Sequence, residues 1–217
     1  MGDIGQVQMT ENQEQIGDTV LETTTAVTPE DQLRAQIYRL LAGFLSNSPD
    51  SDSLQAAASL TGDESEFGAA INNFAQIAQK IDPTTADTEF HDLFIGVSRG
   101  ELLPYGSYYQ TGFLNEKPLA ILRRDMARLG IERIGDLNEP EDHIASVLEM
   151  MAGFIDGAYI APLSLDQQKQ FFAPHINSWA PLFFADLESA KNSVLYAPLG
   201  TIGRLFMKIE QEGFEMI

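Results

Sequence analysis

Residues 139–159 read EPEDHIASVLEMMAGFIDGAY, and the fold class turns on them. Ile144, Val147, Leu148, Met151, Phe154 and Ile155 fall on one stripe at helical spacing, the pattern that lines one face of an α-helix with apolar side chains. Pro140 suits a first helical turn, so Asn138 or Glu139 is the expected cap and the helix is expected to run from Glu139 to about Tyr159. It carries the longest apolar stripe in the chain.

Outward from this helix the same period recurs. Toward the N-terminus, Leu119, Leu122, Met126 and Leu129 predict a helix that ends at Gly130, and residues 131–138 would connect two lobes. Residues 97–114 (VSRGELLPYGSYYQTGFL) mix Gly, Pro and Ser with dense aromatics and read as an ordered loop that packs, the least helix-like part of the folded region. Before it, Ala86 to Ile95 closes at Gly96, and Phe67, Ile71, Phe74, Ile77, Ala78 and Ile81 form a stripe that ends at Asp82-Pro83. Thr28-Pro29-Glu30-Asp31 starts a helix with a cap, a proline at the first position and two acids at the positive end, and Leu33, Ile37, Leu40, Leu41, Phe44 and Leu45 carry it to Ser46-Asn47-Ser48-Pro49. Toward the C-terminus, two further helices fit Leu165 to Leu187, broken near Pro174, and Val194 to Glu212, with Pro198 in the first turns or at a kink. No stretch alternates as a strand would. The expected fold is all-α, a compact bundle of about eight to ten helices. One helical domain over residues 28–217 is expected, with lobes at about 28–133 and 139–217, behind an acidic tail over residues 1–27 whose composition predicts mobility.

Composition narrows the function. The chain has 217 residues, 32 acidic against 13 basic side chains, a formal charge of −19 and no cysteine. Duplex binding rests on Lys and Arg neutralising phosphates, so a nucleic-acid binder is not expected. Without cysteine there is no disulfide, thiolate metal site or thiol nucleophile. No signal peptide is expected, since no basic residue precedes Arg34, and no run approaches the ~18 apolar residues of a membrane span. The expectation is a cytoplasmic protein with no stable membrane insertion.

Gly96-Val97-Ser98-Arg99-Gly100 matches the G-x-S-x-G string of a hydrolase nucleophile elbow, but that elbow needs a strand before it, and here a helical stripe precedes. The residues three before His91, His143 and His175 are Thr88, Pro140 and Phe172, so the Glu-x-x-His pairs of a di-iron bundle are missing. No phosphate-cradling glycine loop occurs. No catalytic residue, metal ligand or cofactor is therefore assigned. Glu139-Pro140-Glu141-Asp142-His143 combines a helix start with a density of charge. Capping accounts for its acids but leaves His143 without a role, because the positive helix end disfavours an imidazolium; a neutral hydrogen-bonding or recognition role fits better. Pro104-Tyr105-Gly106-Ser107-Tyr108-Tyr109 places three tyrosines within five residues, which suggests a groove wall, since a tyrosine hydroxyl needs a partner in a dry core.

Taken together, Tyr38-Arg39-Leu40-Leu41, Phe90-His91-Asp92-Leu93-Phe94-Ile95-Gly96, the Pro104–Tyr109 loop and Glu139-Pro140-Glu141-Asp142-His143 resemble the TorD/DmsD/NarJ family of cytoplasmic chaperones for exported molybdoenzymes. In that family the position of Gly106 commonly carries Glu. The resemblance implies a non-enzymatic, all-helical chaperone that binds the twin-arginine signal peptide of a molybdopterin oxidoreductase and assists its maturation until the cofactor is inserted. It implies that Phe90, Leu93, Phe94 and Tyr105 line the peptide groove, that Asp142 and His143 offer polar contacts beside it, and that Ser107 and Glu139 are weaker members. The stretch from Tyr108 is similar to relatives that accompany formate dehydrogenases. A monomer or domain-swapped dimer is expected. The rival reading is a helical nucleotide-dependent switch or hydrolase.

Overall fold

A computed structural model describes residues 26–97, 99–132, 139–191 and 193–217. The expected tail therefore lies almost wholly outside the described residues, as do Asn138 and most of the expected inter-lobe connection. Ten α-helices form among the described residues, with no strand.

Helix α1 (Pro29–Ser46) begins as its sequence dictates. The Thr28 hydroxyl accepts from the Asp31 N–H at 3.1 Å while the Asp31 carboxylate accepts from the Thr28 N–H, a reciprocal capping box. A short α2 (Ser51–Ala58) follows. Sequence spacing misses it because it buries only Leu54 and Ala57. Helix α3 (Glu66–Ala78) then leads to α4 (Pro83–Phe90). Asp82-Pro83, expected as an end, is mainly a beginning: Asp82 caps α4 by accepting from the Thr85 N–H at 3.0 Å, with Pro83 at the first position. The chain leaves α4 through one π-helical turn, His91–Ile95, closed by Gly96 at φ +62°, a left-handed conformation glycine adopts without strain.

The 97–114 segment is corrected in part. Six of its residues, Gly106–Thr111, form helix α5, and Gly106 and Ser107 are buried. Helix α6 (Lys117–Arg128) ends before Gly130 as expected. Helix α7 (Ile144–Asp156) starts five residues later than the expected Glu139, and at 13 residues it is shorter than α1 and α10. Helices α8 (Leu165–Phe172) and α9 (Ala180–Glu188) flank a second π turn, Ala173–Asn177, that contains Pro174. Helix α10 (Tyr196–Glu215) carries Pro198 in its first turn without a break.

One continuous hydrophobic cluster runs from Ala35 to Phe214. Within it α1 packs on α7, and α10 packs on both α9 and α3. Gly200 and Gly203 bring α10 close to α9: a Cβ at Gly203 would enter the Phe184 ring, and one at Gly200 would meet the Glu188 backbone. Two polar clasps fix α10. Arg34 donates from Nε and Nη2 to the two Glu210 oxygens, both at 2.8 Å, and the buried Tyr38 hydroxyl donates to the same carboxylate at 3.0 Å. At the other end Glu89 on α4 accepts from the Val194, Leu195 and Tyr196 N–H groups, which lead into α10.

Candidate functional site

The two segments singled out in sequence, 104–107 and 139–144, are strapped together. The Gly106 N–H donates to the Asp142 carbonyl at 2.9 Å and the Ile144 N–H to the Pro104 carbonyl at 2.8 Å, which makes an isolated antiparallel bridge between Tyr105 and His143. Helix α5 has no side-chain cap of its own. Asp142 supplies one from across the strap, its Oδ2 accepting from the Ser107 N–H at 2.6 Å. Asp142 Oδ1 and Ser107 Oγ are both buried with no hydrogen-bond partner among the described residues.

The cap of α7 corrects the sequence reading. His143, not Asn138 or Glu139, is the capping residue: its Nδ1 accepts from the Ala145 N–H at 3.3 Å. The reason is the turn before it, where the His143 N–H donates to the Pro140 carbonyl and delays the helix until Ile144. An imidazole that caps must accept, so it must be neutral, and burial lowers the His143 pKa below the ordinary histidine value, against the pull of Glu139 and Asp142. The expectation that capping leaves His143 without a role is thus overturned. The neutral hydrogen-bonding part of that expectation agrees with this geometry.

Beside the strap lies a groove of about 700 Å³ between the end of α6, the exposed side of α7 and residues 158–160. Met126, Ile131, Met150 and Ile160 give it an apolar lining, and Glu132, Glu139, Glu141 and Glu149 bring four carboxylates. Glu139 Oε1 accepts from the Tyr105 hydroxyl at 2.8 Å, and Glu149 Oε1 from the Tyr159 hydroxyl at 2.7 Å. Burial, then the hydrogen bond to Glu139, raises the Tyr105 pKa, while the same causes with Glu149 push Tyr159 up to about 12. Arg123 pairs with Glu141 at 2.8 Å and Arg39 lies 3.5 Å from Glu149, which offsets part of the negative field.

Of the eight residues named from sequence, Glu139 lines this groove. Tyr105, half-buried, touches it through Glu139 and stacks edge-on against His143, ring centroids 5.2 Å apart. Ser107, Asp142 and His143 are buried in the strap, with Asp142 3% exposed. Phe90 and Leu93 sit in the core, 7% and 0% exposed, and Phe94 is half-buried against Tyr196, centroids 5.5 Å apart. Sequence reasoning missed Met126, Ile131, Glu132, Glu149, Met150 and Ile160. Glu149 and Met150 sit beside the apolar stripe of α7, a signal that acquires meaning only once α6 is known to lie alongside. Gly106, where the resemblance leads to an expectation of Glu, is covered by Trp179: a Cβ there would lie 3.0 Å from the indole Nε1.

The G-x-S-x-G string keeps its helical approach, and its serine lies outside the described residues. Among the described residues no group of three or more His, Asp or Glu side chains is arranged to hold a metal ion, and no helix is long and apolar enough to cross a membrane.

Residues 61–185, more than half of the chain, match the family described as nitrate reductase delta subunit. The chain belongs to this family. The TorD/DmsD/NarJ resemblance read from its motifs points to the same place. Among curated family relatives, the chaperone protein TorD of Aliivibrio fischeri is 26% identical over 185 residues, covering 72% of this chain and 83% of its own. The TorD chaperone of Vibrio cholerae strain M66-2 is 35% identical over 102 residues, 44% of this chain and 46% of its own. The chain thus spans about half the length of several curated relatives it matches. A crystal structure described as that of a redox enzyme maturation protein from Archaeoglobus fulgidus superposes with a TM-score of 0.55 at 22% identity, covering 81% of this chain and 94% of that one, which places this family member's helices in a known arrangement.

Proposed function

We propose that this chain is a cytoplasmic maturation chaperone, not an enzyme, that binds the twin-arginine signal peptide of an apo molybdopterin oxidoreductase before export. Formate dehydrogenases are the client class suggested by the stretch from Tyr108. The observation that carries the reading is the acidic, apolar-lined groove beside the Glu139–His143 strap. A twin-arginine peptide has a cationic head and an apolar stretch, and such a ligand needs both carboxylates and a floor that removes apolar surface from water. In this reading Glu139 and Glu149 receive the arginines, and Met126, Met150 and Ile160 receive the apolar stretch. Flexible, polarisable methionines suit a receptor for apolar segments of variable shape. Asp142, Ser107 and His143 act from beneath by holding Glu139 and Tyr105 in place, and Phe94 and Tyr105 are the candidate aromatics with surface left to offer.

Calorimetric titration of the full chain with a synthetic twin-arginine peptide tests this. Wild type should bind, and a peptide with both arginines replaced by glutamine should bind at least tenfold more weakly. The double variant Glu139→Gln/Glu149→Gln should lose about 1.5–3 kcal/mol, the range for a hydrogen bond to a charged group. Equal affinity for the two peptides, or full affinity in the double variant, overturns the proposal.

A further inference from the structure

A second groove, sharing no lining residue with the first, opens where the start of α1 and the end of α10 meet α8. Its volume is about 870 Å³. Ile37, Phe67, Phe206 and Phe214 line it, and at its mouth Leu33 and Ile209 stand 58% and 49% exposed. Apolar side chains this open, converging on one concavity, mark a place where another surface can gain by covering them.

The polar lining is one-sided. Among the described lining residues Glu30, Asp31, Glu210 and Glu212 bring four carboxylates, and Arg34 is the one cation. That cation is already spent, paired through two hydrogen bonds with Glu210 and at 3.1 Å with Asp31. A separate observation points the same way. Gln168, only 3% exposed, lines the groove and donates its amide N–H to the Leu163 carbonyl at 2.9 Å, which fixes its Oε1 as an acceptor with no partner among the described residues. Buried acceptors of this kind are normally satisfied, so its lone pairs call for a donor that the described residues do not supply. Helices α1, α8 and α10 supply most of the walls, and at Gly213 on the α10 wall a Cβ would meet nothing within 4 Å.

We propose that this groove docks a cationic amphipathic helix of a partner protein. Its apolar face covers Leu33 and Ile209, its Lys or Arg residues meet Glu30 and Glu212, and one N–H donor reaches Gln168 Oε1. This is recognition of a helix in a helix-walled groove with charge set at the rim. Charge decides against two other occupants. A second copy of this chain carries −19 and the same acidic rim. The chain's own residues 1–25 contain Asp3, Glu11, Glu14, Asp18 and Glu22 and no Lys or Arg. The proposal does not depend on what the first groove binds.

The test is fluorescence anisotropy of the full chain with a labelled helical peptide of leucine and lysine at amphipathic spacing, beside a twin in which glutamate replaces lysine. The lysine peptide should bind and the glutamate twin should not. Leu33→Gln/Ile209→Gln replaces two exposed side chains and should weaken binding at least tenfold. Glu30→Gln/Glu212→Gln should weaken it at least fivefold, whereas Asp52→Asn/Glu64→Gln, matched in charge, exposed and lining neither groove, should leave it unchanged. Equal weakening by the two charge-matched pairs would reduce the effect to the net field of the protein and overturn the proposal. So would unchanged binding in the leucine–isoleucine variant. A wild-type dimer that this variant dissolves in sedimentation would assign the face to a second copy, and a tenfold gain of affinity in Leu21→Gln would assign it to the chain's own N-terminal segment.

Discussion

Glu89 and Asp142 are buried to nearly the same degree, 6% and 3% exposed, and each reaches from its own element to the uncapped start of another helix. They differ in how much of the carboxylate is used. Glu89 Oε1 accepts from the Val194 and Tyr196 N–H groups at 2.8 and 2.9 Å, and its Oε2 accepts from the Leu195 N–H at 3.1 Å. Asp142 takes one N–H, from Ser107, and its second oxygen is without a partner among the described residues. A carboxylate with both oxygens engaged by backbone at a helix start is committed to holding that helix. One with an oxygen in reserve is held in place yet retains acceptor capacity, and it sits in the strap that carries Glu139 and Tyr105.

The largest effect that could break this contrast is on stability at Glu89. Glu89→Ala should cost about 3–5 kcal/mol, because the buried Leu195 and Tyr196 N–H groups and the Val194 N–H lose their partner together; a loss below about 1 kcal/mol in chemical denaturation would show that α10 does not need the clasp. Asp142→Ala removes one such bond and should cost about 1–3 kcal/mol. The contrast sharpens when the same proteins are titrated with a twin-arginine peptide: Asp142→Asn should weaken binding by about tenfold after correction for the folded fraction, and Glu89→Gln should not. Equal effects at the two positions would make Asp142 a second structural clasp and nothing more.

A smaller effect concerns pH. The folded-state pKa of His143 is lowered, so the folded protein favours the neutral imidazole more than the unfolded chain does. Its contribution to stability is therefore full above about 6.5, the ordinary histidine value, and declines as pH falls from there toward the depressed folded value. His143→Asn keeps an accepting cap without a titration, so its melting temperature should fall less than that of wild type between pH 7.5 and pH 5. Some slope should remain, since burial lowers the His175 pKa as well, against the pull of its 2.9 Å contact with Asp125.

Local signals carried most of the helices. The Thr28 cap, the Gly130 stop and the stripe from Ile144 to Ile155 each act within a few residues, and each was legible; the reciprocal bond from Asp31 was not. Helix α2 was not, since two buried side chains in eight residues fall below any periodic pattern. Asp82-Pro83 reads only as an end because a cap followed by proline starts one helix as readily as it follows another. In the site, Glu139 was found from its neighbourhood in sequence, but the function of Asp142 depends on Ser107, 35 residues away, and that pairing has no local signature. The same holds for the groove, whose Met126 and Met150 meet only through the packing of α6 beside α7.

The approach of α10 to α9 sets how this sequence can drift. Position 203 faces an aromatic ring and position 200 faces main chain, so a side chain at 203 must displace the Phe184 ring and one at 200 must push the two helices apart. Further along the same helix, Gly213 faces open space and is free of that constraint. Substitution tolerance along α10 should therefore rise steeply over three turns, from near zero at Gly200 and Gly203 to ordinary surface tolerance at Gly213, so that in a saturation library helix geometry alone divides glycines of one chemical kind into two classes.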